Sequence, residues 1–369
     1  MRVLVSINYA RGLSEPLLNS LINSQLVEET YVVSDVDMSP TGGAHLYQTP
    51  NWVRSPFNKV TFRGIFRLII HFWLMLYLTI RKNPDVIIGF HIFPHCMYAF
   101  ICAKLFRKPV VACIGDWPSI WRIRRTLLPM LRRCNIVTTT GSKTKEYLVE
   151  QGINPNNIHA RPDPTDTDKH KPIPSPKQFD ILFVGRLATE KNVSTLLRIV
   201  DRVRRKKDDL KVGIVGDGSL RKSLEQLSKQ LNLVYNVKFL GWKENSEYYY
   251  NCSKILILTS LHEGLPRVMI EAMACGIPCV VPDVGDITDA AIDRYNSIVI
   301  RYPTDVDGFT NALVELLYND GLYQALSKNT RQSIEERYSV RSATQAWDKI
   351  LCILDPSQNI SNQNNGDAD

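Results

Sequence analysis

Two carboxylates and two cations in the second half of the chain have the spacing of a site for a phosphorylated, hydroxyl-rich ligand. Glu263 and Glu271 stand eight residues apart in SLHEGLPRVMIEAMACGIP, residues 260–278. The first falls in a loop after the apolar run KILILTS. The second lies roughly two turns into a helix that Pro266 is suited to begin, so both can face one cleft. Carboxylates accept hydrogen bonds from vicinal hydroxyls, while the free N–H groups of a helix start attract an anionic phosphate. Gly264 between them lets backbone approach closely. Upstream, FVGRLATEKNVSTLLRIV sets Gly185 and Arg186 after a strand and Lys191 five residues later at a helix entrance. Two cations so placed suit a diphosphate. Alone, each would read as a solvated surface charge; together with the glutamates they read as a site.

Weaker features accompany these four. Gly216-Asp217-Gly218 turns after a strand, but the third glycine of a dinucleotide fingerprint is missing. Gly241 in KFLGW permits close backbone approach, as does Gly12 in NYARGLSEP, whose loop could offer amides to a phosphate. His91 and His95 in GFHIFPH follow the strand DVIIG at a sheet edge where open α/β folds bind ligands. Pro94 interrupts their spacing and no third ligand stands nearby, so the reading is ligand contact or a structural histidine, and no metal is expected.

The elements that must position these residues are short Val/Ile-rich runs alternating with amphipathic stretches, the pattern of buried parallel strands joined by helices. Strands are expected at 3–7, 29–33, 86–89, 110–114 and 136–139, then at 180–184, 211–215, 237–240, 255–258 and 277–281. Between the two sets, 158–176 carries five prolines among charged residues and reads as a linker, with Asp163, Asp166 and Asp168 solvated. The expected division is therefore 1–172, 173–354 and a polar, disordered tail at 355–369.

Charge is uneven: 21 Lys and Arg face 12 Asp and Glu in 1–172, against 24 and 25 in the remainder. A basic first half suits an anionic partner, either a membrane surface, a lipid-linked diphosphate or nucleic acid. The apolar stretch 64–80 contains Arg67 and His71 and reads as a buried core helix rather than a membrane span. The stretch 117–133 mixes Trp117 and Trp121 with five arginines, fitting a helix on an anionic bilayer or a solvated basic face equally. Eight cysteines without framework spacing point to reduced, buried thiols, and the strand-like start MRVLVSINYA lacks the features of a cleavable signal. A cytoplasmic protein, peripheral at the inner face of the membrane, is expected.

The stretch 260–278 resembles the E-x7-E motif of the family 4 glycosyltransferases, including its EGLP start and EAMACGIPCV continuation. FVGRL followed by EKN is similar to a second signature of that family, with Asn192 where glycine is usual, and VGDITD at 284–289 resembles its loop near the donor. The resemblance implies a GT-B fold of two Rossmann-like, doubly wound α/β domains facing across a cleft, with the last helix near Trp347 packing back on the first domain. It implies a retaining enzyme that moves a sugar from a nucleotide-sugar donor to a glycan or lipid-linked acceptor without a metal or other cofactor. Glu263 would contact the transferred sugar, Glu271 the ribose, the backbone at Leu265 and Pro266 the diphosphate and sugar, and Arg186 and Lys191 the leaving group. The family's histidine after the next strand is replaced by Ile114, which leaves Asp116 as the candidate polar contact. A phosphorylase or epimerase of the same fold, or a binding protein without turnover, are the rival readings. Nucleic-acid binding leaves the glutamate motif unexplained.

Overall fold

The computed structural model describes residues 1–7, 14–35, 42–50, 62–115 and 127–355. The chain forms two compact units, Met1–Pro164 with Val340–Asp369, and Thr165–Ser339. The division thus differs from a linear cut at 172/173. Residues 158–160, assigned above to a linker, form an edge strand of the first sheet. Asp163, expected in solvent, is buried, whereas Asp166 accepts hydrogen bonds from the amides of Asp168 and Lys169 and shapes a turn.

The first unit contains β1 (Arg2–Ile7), α1 (Ser14–Ile22), β2 (Glu29–Ser34), β3 (Ala44–Gln48), α2 (Phe62–Lys82), β4 (Val86–Phe90), α3 (Met97–Leu105), β5 (Val110–Ile114), α4 (Leu128–Leu131), β6 (Ile136–Thr139), α5 (Ser142–Glu150) and β7 (Ile158–Ala160). Its seven parallel strands run in the order β3-β2-β1-β4-β5-β6-β7. The central strands β4, β5 and β6 are buried at every position, which is why they read as unbroken apolar runs.

The second unit contains β8 (Phe179–Val184), α6 (Val193–Arg204), β9 (Val212–Val215), α7 (Arg221–Gln230), β10 (Val237–Gly241), α8 (Ser246–Asn251), β11 (Ser253–Ile257), α9 (Arg267–Ala274), β12 (Cys279–Pro282), β13 (Ser297–Ile300), α10 (Val306–Tyr318) and α11 (Asp320–Arg337). Its six parallel strands run β10-β9-β8-β11-β12-β13. The unexpected strands β3, β7 and β13 all lie at sheet edges; β3 and β7 are partly exposed and carry polar residues that dilute the apolar signal, while β13 is a mostly buried run of only four residues.

The last helix, α12 (Val340–Leu354), returns to the first unit. Its Trp347 is fully buried in one core cluster with Leu17, Leu18 and Phe90, edge-on to the Phe90 ring at 6.2 Å and beneath the Arg161 guanidinium at 5.1 Å. Removing such an indole costs about 3–5 kcal/mol, so α12 is an integral part of that core. None of the eight cysteines is in a disulfide, and all but Cys352 are buried.

One expectation is corrected. The helix read as buried core, α2, is only 22% buried over its most apolar window. His71, Met75, Leu78 and Thr79 face inward, while Ile65, Ile69, Trp73, Tyr77 and Ile80 face solvent. Its apolar character runs nearly all around the helix, and one layer of sheet can cover only one side.

Candidate functional site

In the second unit, successive connections run from β8 toward β9 and β10 on one side and from β11 toward β12 and β13 on the other. The divergence opens a crevice at the carboxyl ends of β8 and β11, the place where open parallel sheets take ligands. Lys191 follows β8 and Glu263 follows β11; across that crevice Lys191 Nζ donates to Glu263 Oε1 at 2.5 Å. Their side chains are 19% and 9% exposed. The loops that carry them are stitched together: Thr259 Oγ1 donates to the Lys191 and Asn192 carbonyls at 3.1 and 3.2 Å, and the Leu261 amide donates to the Glu190 carbonyl at 2.8 Å. An ion pair this dehydrated adds little net stability, because desolvation offsets most of its Coulomb attraction. What it provides is charge already oriented and largely stripped of water.

Backbone conformation explains how such loops come together. Asn192, where the related motif has glycine, holds φ +51°, a left-handed conformation that asparagine tolerates better than other side chains. Its Oδ1 accepts from Thr195 Oγ1 at 2.9 Å within the first turn of α6. At Gly216, φ +136°, an added Cβ would lie 1.8 Å from the Gly185 carbonyl oxygen; at Gly285, φ +54°, it would lie 1.9 Å from that of Glu263. Only glycine allows the turn after β9 to rest on the loop bearing Arg186, and the 284–289 loop to rest on the loop bearing Glu263. Gly241, φ +74°, ends β10 and accepts from the Gly216 amide at 2.9 Å, so it too borders this edge, beside the exposed Trp242.

The four charged residues do not all meet. Arg186 is 70% exposed and pairs with Glu190 at 2.6 Å. Glu271 is buried one turn into α9, rather than two, and its Oε2 accepts from Tyr250 Oη at 2.9 Å with His170 Nε2 at 4.0 Å. Burial drives the Tyr250 phenol well above its ordinary pKa, an effect that the Glu271 charge reinforces; burial lowers His170, against the pull of Glu271. Gly264, Leu265 and Pro266 are buried, and Pro266 stands at the cap of α9 with extended backbone. Tyr250 and His170 were not singled out in the sequence: they stand 21 and 101 positions from Glu271 in the numbering, and no motif links them to it.

In the first unit the equivalent divergence lies between β1 and β4. There Asp35 Oδ1 meets His71 Nδ1 at 2.7 Å, His71 Nε2 meets Ser6 Oγ at 2.7 Å, and Ser6 Oγ meets His95 Nδ1 at 3.0 Å. The serine has one proton, so it donates to one imidazole and accepts from the other. All four side chains are buried, His95 being 1% exposed with no hydrogen-bond partner for Nε2 among the described residues. Of the two readings given to His95, ligand contact or a structural histidine, its burial fits the second. The turn bearing it sits so hard on β4 that a Cβ at Gly89 would lie 2.5 Å from Cys96 Cα. Burial, with the charges of His71, His91 and Arg67 adding to it, holds His95 well below its usual pKa. Gly12, Asp116 and most of the 117–133 stretch lie outside the described residues, as does the tail after Asp355; Ile114 is buried. Among the described residues no group of three His, Cys, Asp or Glu side chains is arranged to hold a metal ion.

Comparison with known proteins places both units. The family described as Glycosyl transferases group 1 matches residues 165–333, and Glycosyltransferase Family 4 matches residues 26–169. An uncharacterized glycosyltransferase of Methanocaldococcus jannaschii is 30% identical over 46% of this chain, and the match spans 42% of that protein's length. The lipopolysaccharide core biosynthesis glycosyltransferase LpsD of Rhizobium meliloti is 25% identical over 80% of this chain and 85% of its own. The crystal structure of Anabaena HepE in complex with UDP and glucose superposes with a TM-score of 0.77 at 17% identity, covering 95% of this chain and 99% of that one. At that identity the likeness speaks for the GT-B fold.

Proposed function

The chain belongs to the family 4 glycosyltransferases, and from that premise we propose that it transfers a sugar, with retention of anomeric configuration, from a nucleotide-sugar donor to a hydroxyl of a glycan or lipid-linked acceptor in cell-envelope or exopolysaccharide synthesis. The observation that carries the reading is the Lys191–Glu263 pair across the β8/β11 crevice. Glu263 accepts hydrogen bonds from the sugar hydroxyls. Lys191 turns from Glu263 toward the departing diphosphate, joined by Arg186, whose exposed guanidinium is free to leave its weak surface pairing with Glu190. Glu271, held by Tyr250, accepts from the ribose, and the backbone at Gly264, Leu265 and Pro266 lies along the phosphates.

The acceptor hydroxyl attacks from the face the diphosphate leaves. Charge stabilisation by Lys191, Arg186 and the N–H groups at the start of α9 removes the need for a metal. For the lipid-linked alternative, the proposed location is cytoplasmic, at the inner face of the membrane.

The test is incubation of the purified chain with a panel of nucleotide sugars, following released nucleoside diphosphate and, by proton NMR, the anomeric configuration of the product. Turnover with one donor and retained configuration is the expected result. Ligand-induced stabilisation with every donor and no turnover would leave a binding protein instead.

A further inference from the structure

The outer face of α2 is unlike the rest of the described surface. Ile65, Ile69, Trp73, Tyr77 and Ile80 recur at intervals of three and four, so they form one stripe that runs about 22 Å along the helix. Every member is at least 46% exposed, Trp73 reaching 61%. Beside it, α3 turns Ile101 and Leu105 outward. Both helices share one core cluster, through Met75 and Leu78 of α2 and Ala99, Cys102 and Ala103 of α3, so they cover the same face of the sheet and present their outer residues on the same side. A contiguous apolar face of this kind marks a surface that some partner covers.

Charge identifies the partner. Residues 62–108 hold seven Lys and Arg against a single acid, Asp85. Arg81, Lys104 and Arg107 are exposed at the ends of the two helices. An apolar stripe carrying Trp and Tyr, rimmed by cations and free of acids, matches a bilayer interface with anionic headgroups: aromatic rings sit at headgroup depth and cations meet lipid phosphates. By length and composition α2 could also cross a bilayer. Its inner face argues otherwise, because His71 is hydrogen-bonded to Ser6 of β1 and Met75 and Leu78 are fully buried in the core, contacts a spanning helix would forfeit. We propose that α2 and α3 dock the first unit flat on an anionic phospholipid surface, with Trp73 and Tyr77 inserted at the interface. The stretch 117–133, read equally as a bilayer face or a solvated basic face, lies mostly outside the described residues, and the contact proposed here is on a different element. It deepens the reading of a lipid-linked acceptor but does not depend on it.

The experiment needs neither donor nor acceptor, so its failure and that of the transferase reading are separable. The full chain is floated with vesicles of phosphatidylcholine alone and with vesicles containing phosphatidylglycerol, at low and high salt, beside Trp73→Ala/Tyr77→Ala and Arg81→Glu/Lys104→Glu variants whose melting curves match the parent. Expected are binding to the anionic vesicles only, release by salt, and a loss of about tenfold or more in partitioning for each variant. Unchanged binding by both variants overturns the proposal, as does absence of binding by the parent chain. So does a parent dimer that the Trp73→Ala/Tyr77→Ala variant turns into a monomer without any vesicle binding, which would assign the face to a second copy.

Discussion

The two sheets reach the same topological position and fill it in opposite ways. Beside β1 and β4 the first unit carries Asp35, His71, Ser6 and His95, hydrogen-bonded in series and buried. Between β8 and β11 the second unit places Lys191 and Glu263 with part of each charge still reachable. A parallel sheet offers the crevice in either case; whether it becomes a site depends on the loop that follows the strand. In the first unit that loop folds back over β4 and buries its histidine, while in the second, glycines let backbone rest on backbone and leave the side chains to line the edge. Among the described residues, the charge pair still open to solvent at such a crevice is that of the second unit, and the polar series of the first is buried.

The contrast breaks most clearly on catalysis. Lys191→Ala is expected to lower turnover on the order of 10²-fold or more, read as released nucleoside diphosphate. Ser6→Ala should leave turnover within about twofold, because no reacting group touches it. Equal losses in the two variants would merge the roles assigned to the two crevices. Next in size, Gly285→Ala forces a methyl group against the Glu263 carbonyl, with an expected destabilisation on the order of 3 kcal/mol by chemical denaturation, together with reduced turnover from a displaced Glu263. Ser6→Ala leaves two buried imidazoles each short of a partner, for about 1–3 kcal/mol.

The smallest effect is with pH. His95 and His170 are held below their ordinary value of 6.5, chiefly by burial, so the unfolded chain takes up their protons before the native one does. Stability should be level above 6.5 and decline as pH falls below it, by up to about 1.4 kcal/mol per unit for each group still neutral in the native state. Thermal melting across that range checks the sign, and His95→Asn should flatten the slope.

Much of the fold was legible because its signals are local. Strands β4, β5, β6, β8 and β9 are apolar runs bounded by turns, and their ends fall within a residue of those expected. The edge strand β3 was not, because its partly exposed positions leave no distinctive pattern, and β7 and β13 are runs of only three and four residues. At the site, Glu263 and Lys191 were legible from motifs that begin where strands end. Tyr250 and His170 were hidden because their importance lies in touching Glu271, which the sequence places far from both. GFHIFPH left ligand contact and a structural histidine both open, and the sequence had no means to choose the burial that His95 takes against its own strand.

By itself, then, the sequence determined two doubly wound parallel sheets, the loop positions of the charged residues, and the family, since each depends on periodicity or on motifs a few residues long. Only the tertiary structure decided that Lys191 meets Glu263 across 72 residues, that Ser6 and His95 share a proton network across 89, and that α2 turns an apolar stripe outward. The reason is that strand order and layer packing choose which distant segments become neighbours, and that choice is made by the burial of whole faces rather than by any short stretch of chain.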